Sequence, residues 1–400
     1  MTSLPPHRAL LLAFSLIVLF LLSATTAFAD CPNQGAIAAD DPLQMLVLGD
    51  SIMWGQGLRE EEKFSSRVKC WLQEKTRRAV IVHVEAHSGA VIASAAPAQP
   101  NLPVLSGEVN STLPTINQQL DHAVQFYAAS RTLPSLILMN GCINDIGVKS
   151  LLAASTPLEN LQRQVRSTCG DGMLALLQRV RASFPRAQVI VTGYYPIVSA
   201  LTADNAFLRL LVKRLNNLGP DAPKMTDKEM RQRLIAVSDE WYKTSTASLL
   251  DAVLKTNAAA GPGLFPPVSF VEIQFGPEHV FAAPDTLLWN FMFASTKVSG
   301  FTQIIVLLSL RSKAYKPDDH VRESRVKSCE ATFKKPKGIK EDKLQKAARE
   351  DLFLICRYAS LGHPNQMGAL IYTEAIKGKL LPLIDKAGWK RDTNNAQTLP

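Results

Sequence analysis

Beyond residue 30 the chain alternates short apolar runs with longer stretches in which apolar positions recur every three or four residues. The runs at 43–48, 79–84, 136–139, 188–192 and 269–273 are short and rich in Leu and β-branched residues, which predicts strands. Between them the helical period predicts helices over 61–76, 113–130, 158–184, 205–218 and 227–259, the last long enough to divide into two. Strands alternating with helices predict a parallel sheet, and the first, third and fourth runs are apolar throughout, as strands covered on both faces require. Segments 93–111 and 261–267 read as loops. From 276 to 350 the pattern becomes irregular, which predicts an insertion or lobe on a single α/β domain rather than a second domain.

Composition narrows the class without redirecting it. With 46% hydrophobic and 20% charged residues, the chain of 400 can bury a full core, which excludes a disordered, collagen-like or small disulfide-scaffold protein. The net charge of +9 is concentrated: 311–350 holds 13 Lys plus Arg against 7 Asp plus Glu. A solvated, mixed-charge helical face accounts for that window better than a nucleic-acid patch, so no nucleic-acid partner is expected.

The N-terminus carries Arg8, an apolar run over 9–22, and the small-residue pattern Ala27-Phe28-Ala29. The run is shorter than the ~20 residues a spanning helix needs, which predicts a signal peptide over 1–29, cleaved after Ala29. The mature chain, 30–400, is then expected in a secreted, periplasmic or other extracellular setting. There the six cysteines, Cys31, Cys70, Cys142, Cys169, Cys329 and Cys356, are expected to pair. They include no CxxC spacing and allow more pairings than sequence can rank; Cys142 with Cys169 is the one put forward. Asn110-Ser111-Thr112 is a glycosylation sequon that matters only in a eukaryotic secretory route.

Four short segments carry candidate chemistry. Gly49-Asp50-Ser51 follows the first strand and sets a serine at a strand's carboxyl end, where open α/β sheets bind ligands, although a serine before a helix also serves as an N-cap. The spacing is not that of the G-x-S-x-G elbow, since Met53 stands where its second glycine would be. His87-Ser88-Gly89-Ala90 follows the second strand, and a glycine there lets a backbone N–H approach a substrate. After the third strand comes Asn140-Gly141-Cys142-Ile143-Asn144-Asp145, where Asn144 can donate to a developing oxyanion or form an Asx turn. Near the far end, Ser360-Leu361-Gly362-His363-Pro364-Asn365 sets a histidine in a loop, and a neutral imidazole is the usual base for activating a serine hydroxyl.

In order, these segments resemble the four blocks of the SGNH hydrolases, the GDSL-type esterases and lipases, over 43–200 and from 356 to about 376. The resemblance implies a three-layer, flavodoxin-like α/β domain with a central parallel sheet of about five strands. It implies Ser51 as the nucleophile and His363 as the general base, with the Ser51 N–H, the Gly89 N–H and the Asn144 amide as the oxyanion hole. No cofactor and no metal are expected. His279 and His320 lie in the irregular region without close Cys or His companions. The expected partner is an ester, whether small molecule, lipid or acylated glycan, with peripheral membrane or envelope contact as a further expectation.

Two departures qualify the match. The family's third block is G-x-N-D, whereas Cys142 stands two places before Asn144 and the glycine falls at 141. The family has Asp three residues before the histidine, and this chain has Ser360, which could hydrogen-bond the ring but supplies no charge. That predicts a Ser-His dyad or an orienting group from elsewhere. An exported binding or cell-surface protein on a degraded site is the alternative of a different class, and a cell-envelope glycan acyltransferase or acetylesterase uses the same acyl-enzyme. The apolar clusters 287–289 and 291–293 read either as core or as the lining of an acyl pocket.

Overall fold

The computed structural model describes residues 31, 37–93, 114–204, 225–261, 263, 265–291, 316–333 and 340–390. The expected signal peptide, the helix over 205–218, the sequon and most of the loop over 93–111 lie outside them, as do Met292 and Phe293.

Five parallel strands form one sheet in the order β2-β1-β3-β4-β5: β1 Ala38–Leu48, β2 Arg78–Val84, β3 Leu136–Met139, β4 Gln188–Thr192 and β5 Ser269–Val271. Burial explains the order. Every residue of β3 and β4 is buried, which their apolar runs allow, whereas β2 alternates exposed and buried positions as an edge strand does. The other edge, β5, is only three residues long.

Helices cover both faces. On one, α2 (Phe64–Thr76) packs with α11 (Gln366–Lys386). On the other, α3 (Ile116–Ser130), α7 (Met173–Ser183) and α8 (Asp227–Ala260) pack together. The region expected as one helix over 158–184 is helical throughout: α6 (Leu158–Val165) runs through a π-helical stretch, Arg166–Gly172, into α7. The candidate for two helices is the single helix α8, because Leu234, Val237, Ser238, Trp241, Ser245, Leu249, Ala252 and Thr256 keep one small or apolar stripe buried along its length. Thr226 and Glu229 close its N-terminus with a capping box.

Strand order reverses at β1, since the chain goes from β1 out to β2 and then crosses back to β3. The crevice beyond the carboxyl ends of β1 and β3 is therefore the topological switch point, where this class of sheet binds ligands. Two short helices start there: α1 (Ser51–Trp54) after β1 and α4 (Ile143–Ile146) after β3, the latter followed by α5 (Val148–Leu151).

Within 276–350 the described residues include α9 (Arg322–Thr332) and the start of α10 (Lys343–Arg357), and the Cys329–Cys356 disulfide staples these two helices. Cys142–Cys169 also forms, as put forward from sequence, and Cys31–Cys70 ties residue 31 to α2. Leu288, Trp289 and Phe291 are buried, so these residues are packed core. Isolated antiparallel bridges join Leu288 to Pro364 and Phe291 to Pro317, which lays the 287–291 segment between the histidine loop and the 316–320 strap.

Candidate active site

The turn that presents Ser51 is built from glycine and amide chemistry. Gly49 has φ +146°, and a Cβ there would stand 2.0 Å from Asn140 Oδ1, so a side chain is excluded by both conformation and space. The Gln119 side chain accepts from Gly49 N at 2.8 Å and donates to Gly49 O at 2.9 Å. The Asp50 carboxylate caps α1 by accepting from Ile52 N, and it also accepts from Tyr194 Oη at 2.7 Å and Asn140 Nδ2 at 2.9 Å. Burial pushes the Asp50 carboxyl up, against these hydrogen bonds that favour its charge. Ser51 thereby opens α1 from a turn tied to β3 and to the segment after β4.

The second and third blocks close on this turn. His87 N donates to Gly49 O, Ser88 Oγ donates to Gln56 Oε1, and Gln56 N donates to Ser51 O. Asn144 Nδ2 donates to Ala90 O at 3.0 Å, which seats its amide on the Gly89 loop and leaves one N–H of the pair for another acceptor. The N–H groups of Ser51 and Gly89 find no acceptor among the described residues. Next to Asn144, the Asp145 carboxylate takes Ile92 N at 3.1 and 3.2 Å, and burial pushes its carboxyl up to about 6.

The displaced glycine has a physical reason. Cys142 has φ +110°, so the left-handed position lies two residues before Asn144, occupied here by a disulfide-bonded cysteine. Gly141 has no such backbone; a Cβ there would meet Ile116 Cδ1 at 2.6 Å, so it serves close packing.

His363 Nε2 lies 2.7 Å from Ser51 Oγ, across 312 residues of sequence. The loop that delivers it is pinned on each side. Trp289 N donates to His363 O, Gly362 N donates to Trp289 O, Tyr195 Oη donates to Gly362 O, and the Asn365 side chain caps α11. His363 Nδ1 is buried and has no hydrogen-bond partner. Burial is the main cause that lowers the imidazole to about 4; the Leu361 and Ser360 carbonyls and the Asp319 charge oppose it, and the Arg325 charge adds to it.

Thus Ser51 and His363 are in hydrogen-bond contact, and Asn144 is tied to Ala90, the residue after Gly89. Ser360 is fully buried and donates from Oγ to Asp319 Oδ2 at 2.7 Å. Sequence reasoning missed Gln119, Asn140, Tyr194 and Asp319. Asn140 carried a usable signal, as the first polar residue after a wholly apolar strand. Nothing in the spacing connected Asp319 to a serine 41 residues later. His320 Nδ1 pairs with the Glu62 carboxylate at 2.7 Å rather than with any Cys or His. Among the described residues no three His, Cys, Asp or Glu side chains are gathered as metal ligands would be.

Residues 47–224 match the GDSL-like Lipase/Acylhydrolase family, a span that holds Ser51, Gly89 and Asn144 and ends before His363. No curated protein matches the chain. Solved structures similar to it include an extracellular lipase from Streptomyces rimosus, at 12% identity and TM-score 0.35, covering 62% of this chain and 87% of that one. A phospholipase A1 from Streptomyces albidoflavus is 16% identical at TM-score 0.32, covering 63% and 87%. An acetyl xylan esterase from Butyrivibrio proteoclasticus is 13% identical at TM-score 0.30, covering 60% and 57%. The likeness to the GDSL-like lipase/acylhydrolase family is thus carried by residues 47–224, which run from the end of β1 past β4 in the parallel sheet of order 2-1-3-4-5.

Proposed function

We propose that the protein is an exported serine esterase that hydrolyses carboxylic esters through an acyl-enzyme on Ser51, with His363 as general base. The observation that carries this reading is the 2.7 Å contact between Ser51 Oγ and His363 Nε2 at the switch point of the sheet. Export with cleavage after Ala29 is supported by the three disulfides, which persist in oxidising compartments.

In this mechanism Ser51 Oγ attacks the ester carbonyl while its proton passes to His363 Nε2. The negative oxygen of the tetrahedral intermediate is received by the Ser51 and Gly89 N–H groups and the uncommitted N–H of Asn144. The imidazolium then gives its proton to the leaving alkoxide, and the alcohol departs. Water, deprotonated by the same nitrogen, attacks the acyl-enzyme and returns the serine. The depressed imidazole suits the first step, because the ring is neutral and able to accept at physiological pH.

One observation favours the second reading, a binding protein on the same fold: His363 Nδ1 makes no contact with a carboxylate. Hydrolysis of nitrophenyl esters from acetate to palmitate by the mature protein, beside Ser51→Ala, decides between them. Activity lost in the variant supports the esterase, with the chain-length optimum defining the acyl group. Equal background rates, with no fluorophosphonate label on Ser51, support the binding protein.

A further inference from the structure

The position three residues before His363 is the natural place for a carboxylate, and it holds a serine. That serine is far from an ordinary surface hydroxyl. Ser360 is fully buried, and its only proton is committed to Asp319 Oδ2 at 2.7 Å. A hydroxyl has one donor and two acceptor sites, so with the proton spent on Asp319 the oxygen is left as an acceptor. In the same tight turn, where His363 N donates to Ser360 O at 2.9 Å, sits the buried, unpartnered Nδ1 of His363. Nδ1 must carry the proton whenever Nε2 is to accept one from Ser51. The Leu361 and Ser360 carbonyls also act on the ring, and beside them this unpartnered donor shares its turn with the Ser360 oxygen, left as an acceptor.

Asp319 is held for this task. Its side chain has no exposure and forms a two-pronged pair with Arg325, at 2.7 Å to Nη1 and 2.5 Å to Nη2. The 316–320 strap is anchored to the site's own walls. Asp318 N donates to Asn290 O, Asn290 N donates to Asp318 Oδ1, and His320 N donates to Gly57 O. Gly57 and Ser360 are packed so closely that a Cβ on the glycine would lie 3.0 Å from the Ser360 Cβ. The 316–320 strap therefore reaches Ser360 with a buried carboxylate.

Resting on the esterase reading above, we infer that Asp319 is a positioning residue that acts through the Ser360 hydroxyl to fix the His363 ring in its Nδ1–H tautomer, with the two-pronged contact to Arg325 holding the Asp319 carboxylate in place. The site then has its acidic group at one remove, supplied by the lobe. Since the guanidinium offsets the carboxylate charge, the effect on His363 is one of orientation and tautomer more than of charge.

The test uses the mature chain and two readouts, steady-state ester hydrolysis and imidazole nitrogen NMR, with His363→Asn to assign the ring signals. Ser360→Ala leaves the Asp319–Arg325 pair intact, so it avoids the uncompensated buried charge that Asp319→Asn creates. It should lower kcat on the order of 10- to 100-fold with KM within about twofold, and the His363 Nδ1–H signal should be lost or averaged between tautomers. The exchange Ser360→Asp with Asp319→Ser keeps one carboxylate, one hydroxyl and one guanidinium in the cluster. It should restore the signal and most of the rate, and raise the pH at which His363 titrates. An unchanged His363 spectrum in Ser360→Ala, or an exchange variant no better than Ser360→Ala in the spectrum, overturns the inference. If the wild-type protein hydrolyses no faster than Ser51→Ala, the esterase reading fails, while the NMR still decides the role of Asp319 and Ser360.

Discussion

Asn140 grips Asp50 with both ends of its amide: Oδ1 accepts from Asp50 N at 3.0 Å, and Nδ2 donates to Asp50 Oδ1 at 2.9 Å. Both residues are fully buried, and the pair joins the end of β3 to the turn that presents Ser51. Asn140→Ala leaves a buried N–H and a buried carboxylate each short of a partner, which typically costs about 1–3 kcal/mol. Urea denaturation should show that loss. kcat should fall on the order of tenfold, because the Ser51 turn loses its tie to the oxyanion side of the site. Wild-type stability in Asn140→Ala would mean that the pair is not holding the turn.

As the proposed general base, His363 should stay competent in acid. Burial lowers His363 to about 4 from its ordinary 6.5, so the ring remains neutral well below the pH at which free imidazole protonates. A profile of kcat/KM against pH should keep its plateau through pH 6 and fall only nearer 4. The sign for stability follows from the same depression. Between the two values the unfolded chain takes the proton and the folded one does not, so this histidine's contribution is present above 6.5 and lost as pH falls toward 4.

The oxyanion assignment separates binding from turnover. In the proposed oxyanion hole Asn144→Ala removes one donor to a charge that exists only in the transition state, so kcat should fall on the order of 10²- to 10³-fold while KM changes little. A variant that raises KM at constant kcat would move Asn144 from the oxyanion to ground-state binding.

Cys142 permits a test in which glycine improves on alanine. With φ +110°, an alanine left there after the disulfide is removed retains the strain without the tether. Cys142→Gly with Cys169→Ser should exceed Cys142→Ala with Cys169→Ser in stability by about 1–2 kcal/mol, the usual cost of a left-handed L-residue. Thermal unfolding gives the difference, and ester turnover should follow the same order because the strained residue starts the turn carrying Asn144. Equal stabilities would show that the loop relaxes once the disulfide is gone.

Much of the fold was legible because burial leaves a direct trace in sequence. The runs at 136–139 and 188–192 coincide with β3 and β4, since a central parallel strand must be apolar on both faces. Near the sheet's edges the trace weakens: β5 ends at Val271, short of the expected 273. The second half of the long helical stretch was ambiguous because serines and threonines on the buried stripe of α8 dilute its hydrophobic period. At the site, Ser51 and His363 were readable from short local patterns. Gln119, Asn140 and Asp319 were not, because their importance lies in hydrogen bonds to residues 41 to 90 positions away, which no local pattern encodes.

The placement of His363 immediately before α11 has a consequence for the order in which the molecule becomes competent. Asn365, two residues on, accepts from Met367 N and Gly368 N and so starts the helix whose Tyr372, Ile376 and Leu380 complete the main core. Ser51 leaves the ribosome early and His363 near the end, so a growing chain carries the proposed nucleophile for most of its synthesis without the proposed base. Because the loop and the helix are contiguous, the packing that seats α11 in the core also sets the imidazole-bearing loop beside the serine. The chemistry is thereby tied to the completion of folding.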